Sequence, residues 1–118
     1  MSAIDAAEVI VDLLRRGHAV EFRVRGDSMH PVIREDDVVH VEPSREIAAG
    51  DVVLVLAQRG LTAHRVVSLG DGVVVMRGDN APEDDDPVAV EQVLGKVEWV
   101  VRRGKRRAVT KRRWILFR

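Results

Sequence analysis

Three short stretches hold residue types that together could hydrolyse an acyl bond. Gly26-Asp27-Ser28-Met29-His30-Pro31 carries a serine in a turn. His64-Arg65-Val66-Val67 carries a histidine at the head of an apolar run. Gly78-Asp79-Asn80 is followed closely by Asp84-Asp85-Asp86-Pro87-Val88. A serine hydroxyl is a poor nucleophile unless a neighbour takes its proton. Imidazole titrates near neutrality, so it can accept that proton and return it to a leaving amine. A carboxylate on the ring holds the tautomer and stabilises the imidazolium. Singly, each stretch is weak. A turn serine is ordinarily a surface hydroxyl, a strand histidine a satisfied side chain, and an acidic run a solvated face.

Taken in order and with their flanks, the stretches become more specific. GDSMHP, DDVVHVEP, GDVVLV, HRVV, RGDN and PVAVEQVLGKV make roughly residues 18–100 resemble type I signal peptidases and the LexA-type self-cleaving repressors. The resemblance implies Ser28 as the nucleophile. It also implies histidine as the general base, because His64 is followed by Arg65-Val66, the pattern of the Ser-His branch. The three lysines, Lys96, Lys105 and Lys111, all lie beyond the GDN box, and none stands where a Ser-Lys pair needs one. His18, His30 and His40 lack the matching flanks. For the third member the resemblance offers Asp79 and one of Asp84, Asp85 and Asp86, with Asp85 favoured on spacing. Which of them touches His64 stays open at this point.

The same resemblance implies an oxyanion hole that uses the backbone N–H of Ser28. Gly26 stands where some relatives carry a further hydroxyl donor, and Met29 would shape the pocket wall beside the scissile bond. Small residues, often alanine, are implied at the first and third positions before the cut. The expected function is therefore a serine endopeptidase of the signal-peptidase type, acting on an extended leader or precursor peptide. The alternative is a catalytically inactive or self-processing regulatory module on the same scaffold. No metal and no cofactor is called for. In one departure, Glu35-Asp36-Asp37 stands where Gly-Asp is usual, which is expected to alter a turn and leave the chemistry alone. In another, the helix before the nucleophile box is charged, whereas signal peptidases span the membrane there. The 25 residues ahead of the box are also too few for a DNA-binding domain, so a repressor is not expected.

These residues need a scaffold. The chain has 118 residues, a length that fits one domain. Hydrophobic content of 46% with 32% charged residues indicates a globular chain, and aromatics at only 3% leave a valine-rich core that points to strands. Ile4, Ala7, Ile10, Val11 and Leu14 recur at helical spacing, with Ser2 and Asp5 resembling a capping box and Gly17 at the far end. The spacing predicts a helix over 3–16. Strands are predicted at 19–25, 37–42, 51–57, 62–69, 72–77 and 96–102, separated by Gly, Pro, Asp and Asn turns. With the resemblance, the expectation is a mainly β fold, a compact LexA/signal-peptidase-like β-barrel with one short N-terminal amphipathic helix. Residues 1–118 form one peptidase-like domain on this reading: helix 3–16, catalytic β core about 18–101, and a basic C-terminal segment 102–118.

There is no cysteine, which excludes disulfides, thiolate metal sites and a cysteine nucleophile. The longest apolar run, Val52 to Ala57, falls far short of the ~20 residues that cross a bilayer. Asp5, Glu8 and Asp12 interrupt the N-terminal stretch, so it reads as neither signal peptide nor anchor, and a cytoplasmic location is expected. The net charge is zero, yet residues 102–118 hold nine of the 19 Lys and Arg and no acid; the rest carries ten basic and 19 acidic groups, a net −9. That basic segment reads as a last strand with solvated arginines. The alternative is peripheral membrane contact through Arg112, Arg113, Trp114 and Phe117. No nucleic-acid-binding motif accompanies the charge.

Overall fold

The structure, a computed structural model, describes residues 3–58 and 60–109. Helix α1 (Ala3–Arg15) forms where the periodicity places it. It closes at Gly17, whose φ of 89° lies in the left-handed region, and the N–H groups of Gly17 and His18 bond the carbonyls of Leu14 and Leu13. Leu14 is buried, and Ile10, Val11 and Leu13 pack on the same core. Ser2 of the capping pair and the tail residues Arg112, Arg113, Trp114 and Phe117 lie outside the described residues.

Eight strands follow: β1 (Val20–Arg23), β2 (Val38–Glu42), β3 (Val52–Ala57), β4 (Gly60–Gly70), β5 (Val73–Arg77), β6 (Val88–Ala89), β7 (Val93–Arg102) and β8 (Lys105–Ala108). A 3-10 turn at Val90–Gln92 separates β6 from β7. The fold is mainly β with one N-terminal helix, as expected, and the sheet curls into a half-barrel. β7 begins three residues earlier than the alternation indicated, and β4 is longer at both ends. β6 was not foreseen: two residues are too few to show a period, and it exists because Val88 and Ala89 pair with Val74 and Val73.

All pairings are antiparallel, in the order β1-β2-β7-β3-β4-β5-β6, with β8 added beside β7. β7 is the shared strand. Its first half pairs with β3, its middle and end with β2, and its end also with β8. β7 passes close to β2 at Gly95. A Cβ there would sit 2.4 Å from the Glu42 carbonyl oxygen, and the registers of β2 and β3 both slip beside it, at His40/Val41 and Leu54/Val55. Inside the curl, Val39, Val41, Val52, Leu54, Val97 and Val100 form the main core with α1. Val53, Val55, Val66, Val74, Met76 and Val93 form a second cluster.

Two polar clusters brace β2 and β7, the first at the end of the sheet from which the serine loop springs. Asp37, buried, accepts two hydrogen bonds from Arg102 at 2.8 and 2.7 Å and one from the Arg34 N–H at 2.8 Å. Burial alone would raise the Asp37 carboxyl, but the Arg102 and Arg34 hydrogen bonds and charges outweigh it and hold the pKa below the usual value. On the outer face His40 stacks on Trp99, ring centroids 3.8 Å apart, and Arg106 lies over the same ring. His40 also hydrogen-bonds Glu42 and Glu21. Burial would lower the imidazole, yet those two glutamates prevail and raise it above the ordinary histidine value.

Candidate active site

Ser28 sits in the loop between β1 and β2. The neck of that loop is tied by Val24 N–H to the Asp37 carbonyl and Asp36 N–H to the Val24 carbonyl, at 2.9 and 3.0 Å. Gly26, with φ of 85°, turns the chain two residues before the serine. Asp36 takes φ of 73°, a left-handed conformation in which glycine costs least. It stands where the resemblance leads one to expect glycine, so the turn survives the departure. Past Ser28 the His30–Pro31 bond is cis, and Ile33 N–H bonds the Met29 carbonyl. Met29 is buried and pins the loop to the core, while Ser28 is exposed.

His64 lies on β4 opposite Val53 of β3. Its Nε2 is 3.1 Å from Ser28 Oγ, and its Nδ1 bonds Asp85 Oδ2. A carboxylate at Nδ1 favours the tautomer with the proton there, which leaves the Nε2 lone pair facing the serine O–H. Asp85 is positioned by its own N–H, which donates to the Met76 carbonyl at the end of β5, 2.8 Å away. Asp84 and Asp86 line the same cleft on either side of it.

Asp79 is placed differently. Its two carboxylate oxygens accept from Arg65 Nε and a terminal guanidinium nitrogen at 2.9 and 2.8 Å, and neither side chain is exposed. Arg65 also reaches the Gly50 carbonyl at 2.7 Å. Adjacent residues on a strand leave it on opposite faces, so His64 and Arg65 serve different partners. Asp79 N–H in turn points at Met29 Sδ, 3.4 Å away, behind the serine.

Two further residues of the GDN motif, to which the sequence assigned no role of their own, shape the site. Gly78 permits a close approach: a Cβ there would lie 2.7 Å from the Ser28 carbonyl oxygen and 3.3 Å from His64 Nε2. Asn80 N–H bonds the Ser28 carbonyl at 2.9 Å, and its side-chain amide bonds the Asp27 carbonyl at 3.2 Å. The GDN turn thus grips the serine loop by its backbone. A glycine next to an aspartate invited a turn reading, and nothing local indicated what the turn pressed against. Arg65 did leave a signal, since a cation inside the apolar run of a strand needs a buried acid.

Ser28 and His64 open onto a cleft of about 1170 Å³ whose walls include Ile10 of α1, Phe22 of β1, Leu54 of β3 and Ala63 of β4, and Gly26 and Met29 also line it. It is concave and largely apolar, with polar groups gathered at the serine, as binding clefts are. Among the described residues no group of three or more His, Asp or Glu could hold a metal ion, and no helix is long and apolar enough to cross a membrane.

The Peptidase S24-like family model matches residues 2–105, which take in α1, all the boxes and the start of β8. The chain belongs to the Peptidase S24-like family. That places it in the superfamily of LexA-like and signal-peptidase serine peptidases. No curated protein matches the chain. Membership of the Peptidase S24-like family carries a peptidase-type fold, and the case for activity in this chain rests on the site just described.

Proposed function

We propose that this protein is a serine endopeptidase in which Ser28 is the nucleophile, His64 the general base and Asp85 the orienting carboxylate. The observation that carries the reading is the line Ser28 Oγ, His64 Nε2, His64 Nδ1, Asp85 Oδ2, with 3.1 Å at its first step, on the wall of an open cleft. The substrate is a leader or precursor peptide that enters the cleft extended.

His64 Nε2 takes the proton as Ser28 Oγ adds to the scissile carbonyl. The carbonyl oxygen becomes an oxyanion held by the Ser28 N–H, and Asp85 stabilises the imidazolium that forms. The imidazolium then gives its proton to the departing amine as the C–N bond breaks, leaving an acyl-serine. Water, deprotonated by His64, adds to the acyl carbon and releases the carboxylate product and the free serine. Asp79 acts by position, through Arg65 and the GDN turn.

A mixture-based peptide library read by mass spectrometry tests the proposal, with wild type, Ser28→Ala and His64→Ala compared. Cleavage by wild type alone is the expected result. Cleavage that persists in Ser28→Ala removes the nucleophile assignment. A wild-type protein that binds peptides but never cuts them favours a binding module on the same scaffold.

A further inference from the structure

We propose that the β7–β8 hairpin is a docking surface for an anionic lipid bilayer, and that it holds the cleft beside that bilayer. Arg103, Lys105, Arg106 and Arg107 are all exposed on this hairpin. None of the four forms an ion pair with an acid among the described residues. The body that carries them has nine more acids than bases, so partners of opposite charge are plentiful. Four cations without an acidic partner, gathered at one end of an otherwise acidic body, form a patch complementary to a negative surface.

Register places the patch. Arg23, Val38, Val101 and Arg106 stand in one row across β1, β2, β7 and β8. The hairpin therefore lies at the end of the sheet where β1 runs out toward Ser28. Arg102, its last β7 residue, also bonds the Val32 carbonyl inside the serine loop. Arg103 occupies the turn with φ of 52°, a conformation that favours glycine or asparagine, and so a cation stands at the tip despite the backbone. Edge strands often carry a lysine to discourage pairing, which accounts for one such charge but not four. The chain beyond the described residues continues as Lys111, Arg112 and Arg113, then Trp114-Ile115-Leu116-Phe117. Cations followed by an apolar and aromatic run match the chemistry of a lipid interface, with anionic headgroups over an apolar interior. Nucleic acid would use the cations and leave that apolar run without a partner.

Co-sedimentation of the full-length chain with vesicles tests the proposal, and its readout is separate from peptide cleavage. Vesicles of phosphatidylcholine alone are compared with vesicles in which one quarter of the lipid is phosphatidylglycerol. Binding to the second set only, lost as salt is raised, is expected. The R103Q/K105Q/R106Q/R107Q protein, with its tail intact, should partition at least about tenfold less. K105Q/R107Q spares the stack of Arg106 on Trp99, so it separates lost charge from lost fold, and it should fall between the two. Equal partition of the variants and wild type, or no preference for the anionic vesicles, overturns the proposal. So does tighter binding to a duplex oligonucleotide than to the vesicles at the same salt.

Discussion

Arg65 and Asp79 form a fully buried, two-pronged ion pair one residue along the strand from His64. The pair joins the strand that carries the candidate base to the turn that grips the candidate nucleophile. Removing one partner leaves the other charged and dry, a change that typically costs ~3–5 kcal/mol. Asp79→Ala should therefore lower unfolding free energy by about that amount in urea denaturation. Replacing both residues with apolar side chains of similar volume should recover much of the loss, because the desolvation penalty goes with the charges.

Asp85→Asn should behave in the opposite way. Asp85 is a third exposed and bonds the imidazole, so its charge matters to the ring more than to the core. Turnover should fall by up to about 10⁴-fold, the scale seen when the orienting carboxylate of a Ser-His-Asp triad is neutralised. The urea midpoint should stay near that of wild type. A variant set in which Asp79→Asn costs stability and Asp85→Asn costs rate would distinguish the two aspartates.

Gly78→Ala tests the close approach. Its Cβ would meet the Ser28 carbonyl oxygen at 2.7 Å, a backbone atom that cannot swing aside as a flexible side chain would. The serine loop must shift, and the 3.1 Å step to His64 lengthens with it. Overpacking of this kind usually costs about 1–3 kcal/mol. A much larger fractional loss in kcat than in the binding of a cleaved-product peptide is the expected signature, measured by steady-state kinetics and calorimetry.

Stability should have two pH limbs with named sources. Asp37 has a folded pKa below its unfolded one, so its contribution is present above the unfolded value and is lost as pH falls through the folded value. Asp37→Asn should flatten the acid limb of an unfolding free-energy profile taken below about pH 4. His40 has a folded pKa above its unfolded one, so its contribution is complete below the ordinary histidine value and disappears as pH rises through the folded value. The E21Q/E42Q variant should flatten the limb just above about pH 6.5, and raised salt should weaken it in wild type, because both glutamates are half exposed.

Much of the fold was readable because its signals are local. The stripe Ile10, Val11, Leu14 marks a helix within five residues, and Val52 to Ala57 marks a strand within six. The candidate serine and histidine also stood out, each inside a short box, and the structure brings the two side chains to 3.1 Å. The fate of the aspartates was not. Asp79 and Asp85 stand in one turn-rich acidic stretch, and the sequence holds no local difference that assigns one to Arg65 and the other to His64. That difference arises when the Asp85 N–H bonds Met76 at the end of β5, which sets the loop's path. Gly78 and Gly95 were opaque for the same reason, since what a missing Cβ makes room for lies on another strand. The bounds of β8 are not legible in the sequence because Lys105 to Ala108 show no alternation, being exposed throughout.

Ser28 and His64 come from different walls of the half-barrel, the first through β1 and β2, the second through β3 and β4, and within the sheet those walls are joined through β7, while the GDN turn ties the serine loop directly. The gap between them is therefore a caliper held by the bend of one strand as well as by the GDN grip. Gly95, at the jaw's pivot beside the Glu42 carbonyl, touches neither residue. Anything that opened the bend there would part the two atoms of the proposed proton transfer while leaving every side chain of the site in place. Reactivity in such a molecule can be tuned from the pivot as well as from the jaws.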